Sequence, residues 1–163
     1  MNESSGEAIQ KREPDKRKPA HLSNDLKVFP IIGIGASAGG LSAFDQFFAH
    51  LPAEPASQIA FVLIQHLDPS HPSNLVQLVQ KYTPMKVVEA EEGVKVQQNY
   101  VYVIPPNKDI TINHGKLLLT SPQRKKGLRL PIDSFFQTLA QDQRELAIGI
   151  ILSGAGGDGT LGV

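Results

Sequence analysis

A serine, a histidine and an aspartate of this sequence each follow an apolar run. Ser37 comes directly after Ile31-Ile32-Gly33-Ile34-Gly35-Ala36, His66 directly after "QIAFVLIQ", and Asp158 lies in the glycine-rich "SGAGGDG" that follows "AIGIIL". These three types together make a nucleophile of a hydroxyl. A serine is inert until a base takes its proton, and the imidazole base must be held in the right tautomer by a third group. Ser37 is also the centre of a G-x-S-x-G motif (Gly35, Ser37, Gly39), whose small neighbours suit a sharp strand-to-helix turn. A helix starting near Gly39-Gly40 would aim free backbone N–H groups at the same spot, an arrangement that stabilises an oxyanion.

The same residues carry a rival motif. Read as G-x-G-x-x-A (Gly33, Gly35, Ala38), they would cradle a nucleotide pyrophosphate. That chemistry wants a carboxylate at the end of the second strand to hold the ribose. Gln65-His66 stand there instead, and the nearest acid, Glu54, precedes the strand, which favours the nucleophile. Each residue also has a plain structural reading: Ser37 as a helix N-cap, His66 as a strand-end histidine, Asp158 as an N-cap or Asx-turn. Asp68, two residues from His66, is read as shaping its turn with Pro69, and His71 as loop structure. His50 and His114 are read as surface residues, and "RKKGLR" (124–129) as a solvated basic loop, with contact to an acidic partner as the rival.

The elements that must position these groups follow from periodicity. Apolar runs predict strands over 31–36, 58–65, 85–89, 100–104 and 147–152. Helical spacing covers 41–50, 73–82 with Ser73 as N-cap, and 132–143. Segments 110–112 and 116–120 flank Asn113-His114-Gly115 as a hairpin. Continuous apolar strands alternating with helices predict an α/β fold: a mostly parallel, doubly wound sheet with an antiparallel hairpin, in a Rossmann-like three-layer arrangement. Ligands bind outside the carboxyl ends of such strands, so Ser37, His66 and Asp158 are expected on one edge.

Composition sets the bounds. The 163 residues suffice for one domain, and residues 1–27, polar and mixed in charge, are expected to be a disordered leader to a domain over 28–163. A formal net charge of zero gives no reason to expect nucleic acid as a partner. The absence of cysteine excludes thiol catalysis and cysteine zinc sites, and the histidines have no companions at metal-ligand spacing, so neither metal nor cofactor is expected. No apolar run approaches the roughly 20 residues that span a bilayer, and no signal-peptide core opens the chain, so a cytoplasmic protein without membrane insertion is expected.

Four blocks, "IGIGASAGGL", "FVLIQHLDPSHPSNL", "NYVYVIPPNKDITI" and "IGIILSGAGGDGTLGV", give the sequence from about residue 29 onward a specific likeness. It resembles the catalytic domain of the CheB-type chemotaxis protein-glutamate methylesterases. The resemblance implies hydrolysis of γ-glutamyl methyl esters on chemoreceptor helices, with Ser37 as nucleophile, His66 as base and Asp158 as orienting acid. Oxyanion and loop support would fall on Ala38, Gly39 and Ala155. Ala38 stands where a threonine is common and Ala155 where methionine is usual, which alters the local support and the pocket. Stand-alone members carry a receiver domain before the esterase. Residues 1–27 are too short for one, which is similar to the esterase portion of fused proteins that also carry methyltransferase and sensor modules. The resemblance implies a domain that continues for several elements beyond Val163, so a C-terminally truncated fragment with an open face on its last strand is expected. The alternative is a catalytically impaired, esterase-like module that docks a receptor or regulator.

Overall fold

Stretches dense in Ile, Val, Leu and Phe pair as five parallel strands in the computed structural model, which describes residues 28–37, 40–52, 54, 58–65, 74–122, 130–153 and 157–163. The strands are β1 (Ile31–Ala36), β2 (Ala60–Gln65), β3 (Lys86–Glu89), β4 (Tyr100–Val103) and β7 (Ala147–Ser153), in the order β3-β4-β2-β1-β7. The predicted leader, 1–27, lies outside the described residues.

Side-chain alternation along these strands builds two cores, because successive residues point to opposite faces. Ile32, Ile34, Phe61, Leu63, Val101 and Val103 face one side, where α1 (Gly40–Ala49) adds Phe44 and Phe48 and α2 (Leu75–Gln80) adds Leu75 and Val79. Ile31, Val62, Ile64 and Tyr102 face the other. There α3 (Pro131–Gln143) brings Ile132, Phe135, Phe136 and Leu139, beside a hairpin of β5 (Asp109–Asn113) and β6 (Lys116–Thr120). The sheet is thus covered on both faces, as its continuous apolar strands require. β7 pairs with β1 and, among the described residues, borders the sheet with Ile148 and Ile151 exposed at 42% and 38%. No described helix is long and apolar enough to cross a membrane.

Predicted and observed elements differ at their ends. The helix expected over 73–82 is only Leu75–Gln80: Lys81 and Tyr82 donate to the carbonyls of Leu78 and Val79, a tightened last turn ahead of Pro84. Asn74 takes the N-cap position without a side-chain bond, and Ser73, the expected cap, lies outside the described residues. Gln80 then ties the helix to the next strand, donating to Thr83 and Met85 carbonyls at 3.1 and 2.9 Å and accepting from Val87 N–H at 3.0 Å. The hairpin forms its own two-stranded sheet, bridged to the chain at Lys95 and Lys116.

His114 and Gly115 turn that hairpin with φ of 50° and 69°, both in the left-handed region of a two-residue type I′ turn. Asp142 on α3 fixes it by accepting both of their N–H groups. Burial pushes the Asp142 carboxyl up, but hydrogen bonds from Gln143, Gly115 and His114 outweigh it and hold the group below its ordinary value. A depressed carboxylate stabilises the fold above its unfolded value and loses that contribution as pH falls through the folded one. Asp142→Asn is therefore expected to destabilise by about 0.5–1 kcal/mol at pH 7, a figure discounted for solvent screening. Thermal melts should show the gap closing as pH falls below the ordinary carboxylate range and through the lowered folded value, where the parent carboxylate is protonated too.

Candidate active site

One register row brings the candidate segments to the same level. Ala36 on β1 pairs with Gln65 on β2 and with Ser153 on β7. The next residues along the chain are Ser37, His66 and Gly154, so the three strands end side by side at the carboxyl edge. β1 continues through α1 to β2 on one side, whereas β7 adds on its other side. The strand order therefore turns around at β1, the switch point outside which open α/β sheets bind ligands. β7 reaches this row through an irregularity: Gly35 pairs with Ile151 but Ala36 with Ser153, so Leu152 is an extra residue.

Ser37 is half-buried at the head of this crevice. Its N–H donates to the Ser153 carbonyl at 2.9 Å and its carbonyl accepts the Gly40 N–H at 2.9 Å, which pins the turn between β1 and α1 through backbone alone. Gly40 starts α1 hard against the strand ends: a Cβ there would lie 2.8 Å from Ala36 Cβ and 3.0 Å from Gln65 Nε2. The Gln65 side-chain oxygen beneath it is buried and has no hydrogen-bond partner.

Asp158 is seated from a different direction. Its Oδ2 accepts the Ile132 N–H at 3.2 Å and its Oδ1 the Asp133 N–H at 3.0 Å. Leu130, at the N-cap position of α3, makes no side-chain cap, so a carboxylate from further down the chain takes the free donors of the first turn. The helix terminus also favours negative charge there. Asp158 thus caps a helix some 25 residues away rather than its own loop, and this is compatible with a catalytic role, since a carboxylate has about four acceptor positions.

Ala38, Gly39, His66 and Ala155 lie outside the described residues, as do Asp68, His71 and 124–129. His50 is exposed just past the end of α1, its Nδ1 at 2.8 Å from the Gln46 carbonyl, and His114 belongs to the hairpin turn. No group of three or more His, Asp or Glu among the described residues could hold a metal ion.

The glycines of the opening motif have another task than the sequence suggests. Gly33 and Gly35 are inside β1, not in the turn after it. A Cβ at Gly33 would lie 2.9 Å from both the Phe135 and Phe136 rings, and one at Gly35 only 2.4 Å from Ile132 Cγ2. They let α3 settle onto the strand, which leaves the pyrophosphate reading without its glycine cradle. Gly35→Ala is expected to cost about 1–3 kcal/mol, measured by urea unfolding, as Ile132 is driven off β1. The seat of Asp158, the Ile132-Asp133 turn, was missed in the sequence; its one local signal is Pro131, which stands at the first turn of a helix with an acid two residues on.

A parallel, doubly wound sheet with its loops gathered at the carboxyl edge beside the switch point defines the fold class, and comparison with known proteins narrows it. The family profile described as CheB methylesterase matches residues 32–163. A Leptospira interrogans protein named putative protein-glutamate methylesterase/protein-glutamine glutaminase is 32% identical over 136 residues, 83% of this chain and 69% of that protein. A Treponema denticola protein-glutamate methylesterase/protein-glutamine glutaminase is 29% identical over 153 residues, 90% of this chain and 40% of its own length. The Thermotoga maritima CheB methylesterase catalytic domain superposes with a TM-score of 0.69 at 28% identity, covering 82% of this chain and 72% of that one. The chain belongs to the CheB methylesterase family, the methylesterases of chemotaxis, and so to the carboxylic ester hydrolases.

Proposed function

We propose that this domain hydrolyses γ-glutamyl methyl esters on chemoreceptor helices with Ser37 as nucleophile, His66 as general base and Asp158 as orienting acid. The observation that carries the reading is the shared row of Gln65, Ala36 and Ser153, the ends of three adjacent strands at the switch point. Ser37 Oγ attacks the ester carbonyl carbon while His66 takes its proton. The oxyanion is met by backbone N–H groups at the start of α1, with Ala38 and Gly39 as the supporting positions and Ala155 shaping the pocket. Collapse of the tetrahedral intermediate expels methoxide, which leaves as methanol with the proton from His66. Water, activated by the same imidazole, then cleaves the acyl-enzyme and releases the glutamate. Asp158 holds the imidazole tautomer from its seat on α3.

The names of the relatives favour a second substrate for the same machinery, a glutamine side chain. There the leaving group is ammonia in place of methanol and every other step is unchanged. With this function go a cytoplasmic setting and methyltransferase and sensor modules as partners. The test is methanol release from a receptor methylated on glutamate, followed with time. Release at a catalytic rate supports the esterase; a chain that binds the receptor and releases none is a docking module instead.

A further inference from the structure

We infer that Asp133 is a positioning residue that holds the catalytic acid by clasping the turn that carries it. Asp133 is only 3% exposed, unusual for an aspartate on the first turn of a helix, where solvent is normally at hand. Its Oδ1 accepts two backbone N–H groups, from Leu161 at 2.9 Å and Gly162 at 2.8 Å. Its own N–H meanwhile donates to Asp158 Oδ1. The two segments therefore bind each other reciprocally: the loop gives its carboxylate to the helix, and the helix gives a carboxylate to the loop.

Close packing makes this clasp specific. A Cβ on Gly162 would lie 2.8 Å from Phe136 Cβ and 3.0 Å from Asp133 Cα, so only glycine lets the turn reach Oδ1. Leu161 contributes nothing by its side chain, which is 76% exposed; its backbone N–H is what binds. Asp133 Oδ2 is buried and makes no hydrogen bond. The arrangement thus keeps a buried carboxylate oxygen unsatisfied in order to retain the double acceptor beside it, a costly choice for a residue with no task. Asp158 lies between the Gly157 end of this turn and the clasped residues, so its freedom to move away from the strand-end row is set by Asp133.

This inference rests on the reading of Asp158 as the orienting acid, and the experiment separates the two. Asp133→Ala, Asp133→Asn and Asp158→Asn are compared with the parent by steady-state methanol release from a methylated receptor. Asp133→Ala is expected to lower kcat at least tenfold with KM within twofold, because the acid is loosened and the substrate surface is untouched. Asp133→Asn, which keeps Oδ1 as acceptor, is expected to stay within threefold of the parent. Leu161→Pro removes one donated N–H from the other partner and should lower kcat several-fold, which decides the matter if Asp133→Ala does not fold. Parental kcat in both Asp133→Ala and Leu161→Pro, with Asp158→Asn crippled, overturns the clasp alone. Parental kcat in Asp158→Asn overturns the triad reading and the clasp with it.

Discussion

Ser37→Ala is expected to abolish ester hydrolysis, lowering kcat by about 10⁴- to 10⁶-fold, while leaving the thermal melt in place. Both halves of this expectation come from the same turn. Ser37 holds the crevice together by its backbone, with N–H to Ser153 and carbonyl to Gly40, and alanine keeps both bonds. The hydroxyl is what the change removes, and with no cysteine in the chain no thiol can replace it. Methanol release measured on matched amounts of folded protein checks this, and turnover near the parental value would remove Ser37 from the mechanism.

Asp158→Asn is expected to cost about 10³- to 10⁴-fold in kcat and, unlike the serine change, to lower stability as well. The catalytic loss follows because an amide favours the wrong imidazole tautomer and cannot stabilise the imidazolium. The loss of stability follows from the seat on α3. Both carboxylate oxygens accept a backbone N–H, from Ile132 and Asp133, so an amide must set its NH₂ against one of these donors. Leaving that donor unmet costs about 1–3 kcal/mol. Melting and methanol release on the same preparations read the two effects separately. Asp68→Asn is the control: if it cripples the enzyme while Asp158→Asn does not, the orienting acid is Asp68. In the parent, the rate should climb with pH through the ordinary histidine range, about pH 6–7, as the base loses its proton.

The sheet was readable because its strands are buried on both faces. Runs such as Ala60–Gln65 and Ile31–Ala36 are apolar at nearly every position, and only a covered parallel strand wants that. The hairpin turn was readable because "NHG" ends in Gly115, which with His114 takes the positive φ values that a two-residue loop requires. What local sequence could not carry is contact between distant segments. Gly33 and Gly35 look like a ligand loop until the rings of Phe135 and Phe136 against the first, and Ile132 against the second, about a hundred residues on, are seen. The cap of α3 was invisible for the same reason: its donors are satisfied by a carboxylate 25 residues downstream of Asp133, not by a residue at the N-cap. The extra residue at Leu152, which brings Ser153 level with Ala36, leaves no mark in an apolar run. Ser37 and Asp158 are proposed from their positions after strand ends, whereas nothing in the sequence singles out Asp133, since an acid in a first helical turn is ordinarily a solvent-facing dipole partner.

Labelling with a fluorophosphonate tests the central claim most directly, since it reports an activated serine without depending on a chosen receptor. The protein is incubated with the reagent, and the adduct is located by peptide mass spectrometry, in the parent and in His66→Ala. One adduct per chain on the peptide containing Ser37, formed rapidly in the parent and lost in His66→Ala, is the expected result. An unlabelled parent, or an adduct on another serine that persists without His66, would contradict it.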